Sequence, residues 1–164
     1  MKLTIHNVFI WFFIIPLVLL IGGLTAFDSV AAGRETKRVF VLHSYHKGYT
    51  FTDNAMRGID DAFGKSGIKV ETYVTYMDVK RIPPTPSYFF KLKELIKEGY
   101  NGINFDVIIS CDNDALTFMR KYRDMLFPGV PLVFTGINNF DNMMLDGRRD
   151  LTGCLLYTSD AADE

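Results

Sequence analysis

The sequence predicts an α/β fold: a doubly wound parallel sheet of strand order 2-1-3-4, preceded by an N-terminal hydrophobic helix. Three observations carry this. Between Lys37 and Thr135, short β-branched runs alternate with amphipathic stretches in the order β-α-β-α-β-α-β. The strand runs are largely unbroken apolar segments, the pattern of strands buried on both faces by helices. Right-handed crossovers between such parallel strands then put strand 1 at the centre and reverse the winding after strand 2. The length, 164 residues, suits one domain of about 100–150 residues plus an appendage.

The appendage comes first. Val8–Phe27 is a run of 20 apolar-dominated residues without a charge, preceded by Lys2 and His6. That is long enough to cross a bilayer as a helix and longer than the usual signal-peptide core of about 7–15 residues. Residues 1–32 therefore read as a signal-anchor, or as a signal peptide cleaved after Val30-Ala31-Ala32 and before Gly33. Both readings export the chain from Gly33 onward, and a buried core helix is the remaining alternative. Lys2 before the span and Asp28 after it fit an N-in orientation.

The exported segment, 33–153, begins with Arg38–His43 as a buried strand. Asp53 is placed to cap a helix through Met56, Ile59, Ala62 and Phe63, stopped by Gly64 and Gly67. Val70–Tyr76 alternates as a second strand. Pro83, Pro84 and Pro86 make Met77–Pro86 a loop. Ser87 can cap a helix with Phe90, Leu92, Leu95 and Ile96 as its apolar positions, ended by Gly99 and Gly102. Asp106–Cys111 is a third strand. Asp112 or Asn113 caps a third helix through Ala115, Leu116, Phe118, Met119, Tyr122 and Met125. Pro131–Thr135 is a fourth strand, and Asn142–Asp146 is long enough for one helical turn.

The last eleven residues, Cys154–Glu164 (CLLYTSDAADE), resemble one reading frame of a transposase adapter used in short-read sequencing libraries. The expectation is that the natural sequence breaks off at Gly153 and that 154–164 is a translation artefact. Cys111 is then the only natural cysteine, and the second half of the domain is missing. A genuine acidic tail is the alternative.

Composition narrows the function. The balance of 48% hydrophobic and 23% charged residues excludes disorder. A net charge of −1 argues against nucleic acid as a partner, and two cysteines are too few for a disulfide framework.

In open parallel sheets, ligands bind beyond the carboxyl ends of the strands, near the winding switch. That rule selects Ser44, Tyr45, His46 and Tyr49 after strand 1, Tyr76 and Asp78 after strand 2, Asp112, Asn113 and Asp114 after strand 3, and Gly136 and Asn138 after strand 4. These hydroxyls, amides, carboxylates and rings suit a small polar or aromatic-containing ligand. Each also has a structural reading. Asp112–Asp114 are natural helix caps, His43 ends an apolar strand, and the Phe118, Met119 and Tyr122 stripe is core. Arg120-Lys121 and Arg148-Arg149 read as solvated charges.

Enzyme signatures are sparse. No GxGxxG, Walker A or GxSxG sequence follows a strand. His43, His46, Asp112 and Asp114 make a weak metal-ligand spacing, so neither a metal nor a cofactor is expected. Cys111 with His46 is a conceivable thiol–imidazole pair, though a buried strand-end cysteine is the simpler reading.

The same residues carry a family resemblance. KRVFVLHSYHKGYTFTDNAMRGIDDAF, YMDVKR at Tyr76–Arg81, FDVIISCDNDALTFMRKYRDMLFPGVPLVFTGIN at Phe105–Asn138 and DLTG at Asp150–Gly153 together resemble a bacterial family of extracytoplasmic sensor domains. That family is related to ABC-transporter substrate-binding proteins and commonly precedes histidine-kinase, PAS or diguanylate-cyclase modules. The resemblance spans residues 37–153. It implies a periplasmic-binding-protein-like fold of two α/β lobes with a ligand cleft between them, of which this chain is the first. The implied function is the ligand-binding input domain of a membrane-bound signal-transduction protein, without catalysis in this segment. Its α/β part would lie in the periplasm or outside the cell, with the N-terminal helix in the bacterial inner membrane and a homodimer as the sensing form. The alternative is a solute-binding protein of an ABC transporter, secreted after signal cleavage and delivering ligand to a permease.

Overall fold

The computed structural model describes residues 35–138, 147 and 149–155. The Val8–Phe27 run, the Asn142–Asp146 turn and the tail from residue 156 lie outside the described residues. Among the described residues, no helix is long and apolar enough to cross a membrane.

The elements run β1 (Lys37–His43), α1 (Thr50–Ser66), β2 (Val70–Tyr76), α2 (Pro86–Gly99), β3 (Val107–Cys111), α3 (Asn113–Leu126), β4 (Leu132–Ile137) and β5 (Leu151–Leu155). The protein is α/β, with all five strands parallel in the order β2-β1-β3-β4-β5. The expected order 2-1-3-4 is therefore extended by an edge strand that the sequence pattern did not announce. Leu151-Thr152-Gly153-Cys154-Leu155 buries only Leu151, so it lacks both the apolar run and the clean alternation that mark a strand. It runs through Gly153 into Cys154 and Leu155.

Winding decides which side chains face which helices. The β1-α1-β2 unit turns one way and the next two units turn back, so right-handed crossovers put α1 on one face and α2 and α3 on the other. Side chains along β1 alternate accordingly. Val39 and Val41, with Cys111, face α1 and meet Ile59 and Phe63. Phe40 and Leu42, with Ile108, Leu132 and Phe134, face Phe89, Leu92 and Ile96 of α2 and Leu116, Phe118 and Met119 of α3. This second face holds the main core, where each fully buried large side chain contributes about 1.5–3 kcal/mol.

Local chemistry moves the helix boundaries. The first helix starts at Thr50, three residues before Asp53. Asp53 lies in its first turn and accepts a hydrogen bond from the Gly48 N–H at 3.0 Å. Gly67, at φ 67°, ends it in the left-handed region, whereas Gly64 stays helical. The second helix is capped by Thr85, whose hydroxyl accepts the Tyr88 N–H at 3.2 Å, with Pro86 opening the helix. Proline in the first turn costs no hydrogen bond there, so the start falls before Ser87. Its buried stripe is Phe89, Leu92 and Ile96, while Phe90 and Leu95, expected inside, are exposed. Met125 of the third helix is likewise exposed.

Two glycines are required by close approach. A Cβ on Gly136 (φ +74°) would meet Cζ of Phe51 at 2.4 Å, and one on Gly153 would meet the Phe134 carbonyl oxygen at 2.1 Å. Glycine inside a strand marks such a contact. The edge strand is also tied down from the main core side. Arg123, 3% exposed, sends Nη2 to Asp150 Oδ2 at 2.5 Å and Nη1 to the Asp150 carbonyl oxygen at 3.3 Å. On the α1 face, an apolar groove of about 440 Å³ runs between Ala55, Gly58 and Ala62 of α1 and Ile109, Val133 and Gly153 of the sheet.

Candidate functional site at the carboxyl edge of the sheet

The carboxyl ends of β1 and β3 lie side by side, with His43 in register with Cys111. Ser44 comes next and is fully engaged in joining the two strands to α3. Its N–H and hydroxyl both donate to the Cys111 carbonyl oxygen, each at 3.1 Å, and its hydroxyl accepts the Ala115 N–H at 2.9 Å. At 1% exposure it is a structural strut, and no hydroxyl is left for a ligand.

Tyr45 turns outward from this strut. Its hydroxyl donates to Asp112 Oδ2 at 2.8 Å, and its ring meets Tyr49 edge-on at 4.9 Å between centroids. His46 stands against Tyr49 at 5.9 Å, with Nδ1 2.9 Å from the Lys47 carbonyl oxygen. Burial, together with the Asp112 carboxylate, raises the Tyr45 phenol well above the usual tyrosine range, so it remains a donor at any physiological pH.

Asp112 sits at φ +77°, a left-side conformation that a non-glycine residue adopts only when its surroundings enforce it. Its side chain caps α3 by accepting the Asn113 N–H at 2.6 Å while it also accepts the Tyr45 hydroxyl. Asp112 is thus both cap and wall. Asn113 clasps the end of β4: its Nδ2 donates to the Asn138 carbonyl oxygen at 3.1 Å, and its Oδ1 accepts the Asn138 N–H at 3.0 Å. This reciprocal pair fixes the distance between the ends of β3 and β4.

Three of the expected residues point to other duties. Asp78, at φ +58°, forms the turn after β2: its carbonyl oxygen accepts the Arg81 and Ile82 N–H groups and its carboxylate pairs with Arg81 at 2.8 Å. Gly136 accommodates the Phe51 ring. Tyr76 stacks on His43 at 5.4 Å with the planes 14° apart.

The turn built by Asp78 delivers a residue that the strand-end rule missed. Lys80 places its ammonium 4.7 Å from the Tyr45 ring centroid and 5.7 Å from that of Tyr49. Cation–π contact of this kind contributes about 0.5–1 kcal/mol at an exposed site. The available signal was a lone lysine in a loop at the winding switch. Asp114 lies in the first turn of α3. Loss of water and the Asp112 carboxylate raise its carboxyl above the ordinary range, and Lys80 opposes that rise. The structure therefore gathers Tyr45 and Tyr49 under Lys80, with His46 against Tyr49 and Asp112 on the Tyr45 hydroxyl.

What this group can do is hold a molecule by charge, hydrogen bond and ring contact. The nucleophiles nearby are poorly placed for chemistry. Cys111 is 0% exposed and burial pushes its thiol up to about 12, so little thiolate forms at neutral pH. Among the described residues, no group of three or more His, Cys, Asp or Glu side chains converges as a metal site. No family model, curated protein or solved structure matches the chain.

Proposed function

We propose that this protein is an extracytoplasmic ligand-binding input domain. Residues 33–153 form the first lobe of a periplasmic-binding-protein-like fold, and the apolar N-terminal segment carries it across or into the inner membrane. A small polar ligand binds at the carboxyl edge of the sheet. Closure of a second lobe over it biases the state of a following signalling module.

The observation that carries this reading is the gathering of Tyr45, Tyr49, Lys80 and Asp112 at the winding switch between β1 and β3. That is where open parallel sheets hold ligands. The backbone strain at Asp112 supports it, since strained residues concentrate at functional sites. The engagement of Ser44 in structure and the burial of Cys111 favour binding over turnover.

The test is amide NMR of the full chain in detergent micelles, titrated with a panel of amino acids, sugars and small carboxylic acids. Binding should be weak, with perturbed amides confined to residues 45–49, 80 and 112–114. Tyr49→Ala removes a ring without removing a described hydrogen bond. It should weaken binding about tenfold, in line with a lost aromatic contact, and leave the melting temperature nearly unchanged. Perturbations that map to another surface, or conversion of the ligand to product, would overturn the reading.

A further inference from the structure

The amino edge of the sheet carries exposed positive charge beside the point where the N-terminal chain enters the domain. All strands are parallel, so each connecting helix runs back along the sheet and ends at this edge. Lys65 lies in the last turn of α1 and Lys97 in the last turn of α2. Lys69 precedes β2 and is joined directly to the start of β1: the Lys37 N–H donates to its carbonyl oxygen at 2.8 Å. The turn between Lys65 and Lys69 is fixed. Gly67 stands at φ 67°, and the Ser66 hydroxyl donates to the Phe63 carbonyl oxygen at 2.7 Å and accepts the Ile68 N–H at 3.1 Å. Ile68, held by this turn, is 53% exposed. The acids of the same edge are engaged. Asp106 accepts from Lys37 Nζ and from the Arg38 N–H, Glu71 pairs with Arg38, and Asp150 pairs with Arg123. Among the described residues, Glu98 is the exception, and Lys65, Lys69 and Lys97 make no ion pair.

We propose that the amino edge docks on an anionic lipid bilayer, with Lys65, Lys69 and Lys97 on the headgroups and Ile68 entering the interface. The inference rests on reading Val8–Phe27 as a membrane span and adds a second contact with the same bilayer. Nine residues, 28–36, separate Phe27 from Lys37. Even fully extended, they hold the start of β1 within about 35 Å of the end of the apolar run. The edge that carries Lys69 and Ile68 is therefore the part of the domain that the tether brings to the headgroups. A tethered surface needs little affinity of its own, because the second contact is intramolecular in effect. Each lysine close to an anionic bilayer strengthens the contact about fivefold. Lysines in last helical turns also complement helix dipoles. That role accounts for neither Lys69 nor Ile68, which lie outside the helices.

The test uses the full chain in vesicles of phosphatidylcholine alone, or of phosphatidylcholine and phosphatidylglycerol in equal parts. Two readouts are independent. Trp11 is the single tryptophan and lies in the apolar run, so its quenching by brominated acyl chains reports the span. Acylation of lysines by a membrane-impermeant reagent, read residue by residue by mass spectrometry, reports the edge. In anionic vesicles Lys65, Lys69 and Lys97 should react about fivefold more slowly than in neutral ones, relative to Lys47 in the loop at the opposite edge. Ile68→Asp should abolish this protection and leave the melting temperature unchanged. High salt should weaken it in the parent protein. Protection that survives both the substitution and high salt overturns the proposal. Three lysines that react as fast in anionic as in neutral vesicles also overturn it, and with Trp11 quenched the span still stands. If that shared rate falls as the number of chains per vesicle rises, a second copy covers the edge in place of lipid. Protected lysines with unquenched Trp11 uphold the docking and overturn the span. Neither quenching nor protection overturns both.

Discussion

His43 is 1% exposed, and among the described residues neither ring nitrogen has a hydrogen-bond partner. An imidazole in that position stays neutral. Burial lowers it to about 4 from its ordinary 6.5, with the Asp53 carboxylate opposing the shift. The folded value lies below the unfolded one, so between these two pH values the unfolded chain binds the extra proton. Stability from this site is complete above pH 6.5 and is lost as pH falls toward 4, by on the order of 3 kcal/mol. His43→Phe keeps a ring against Tyr76 and removes the titration. Urea unfolding at pH 7.5 and pH 5.0 should show a smaller drop for the variant than for the parent. Identical drops would mean that His43 does not control acid sensitivity. The position of His43 at the end of an apolar strand was enough to suggest a structural role from sequence. The same positional logic selected Tyr45, His46, Tyr49, Asp112 and Asp114 as candidates. It also selected Ser44 and Asp78, which the structure engages in a strut and a turn, because a residue type that suits a ligand suits a strut or a turn equally well. Lys80 escaped because its place over two tyrosine rings depends on a turn whose shape is set by a positive φ at Asp78.

At the scale of elements, the contact between α1 and β4 is the sharpest. Phe51 opens α1 and presses on Gly136 near the end of β4, where a Cβ would meet its ring at 2.4 Å and the backbone is already at φ +74°. Gly136→Ala therefore combines backbone strain of about 1–2 kcal/mol with displacement of the Phe51 ring. Phe51→Ala relieves only the second part. In a double-mutant cycle read by chemical denaturation, the two changes together should cost less than their sum by at least about 0.5 kcal/mol. Strict additivity would show that ring and strand do not press on each other. Such a contact is invisible in sequence, because the two residues lie 85 positions apart and neither breaks its own local pattern. The elements themselves were legible. Apolar runs located β1–β4 and apolar periodicity located the three helices. Thr85-Pro86 misled the second boundary because a threonine one residue before a proline is a start signal that competes with Ser87. The fifth strand, held by Gly153 against Phe134 and by Arg123 on Asp150, owes its place to tertiary partners and not to its own five residues.

Across the whole described domain, the two faces of the sheet are unequally covered. The α2–α3 face buries Phe89, Leu92 and Ile96 from one helix and six residues from Ala115 to Arg123 from the other, whereas α1 contributes Thr52 alone as a fully buried residue. Ile59 and Phe63 pack only partly against the small Val39, Val41 and Cys111 cluster, and a groove of about 440 Å³ separates α1 from β3–β5. Buried apolar area is the dominant source of tertiary stabilisation for a helix whose own propensity is modest. Gly58 and Gly64 lower that propensity in α1 by about 1 kcal/mol each relative to alanine. The α1 helix therefore opens as a separate unit at a lower free energy than α2, α3 and the central strands. Native-state hydrogen exchange should show α1 amides exchanging well before those of α3, β1 and β3. On the proposed reading a ligand at the carboxyl edge would touch Tyr49 at the head of α1, so it should slow exchange in α1 more than in α2. Protection in α1 equal to that in α3, with no ligand effect, would mean that the thinly covered face is as firmly held as the main core.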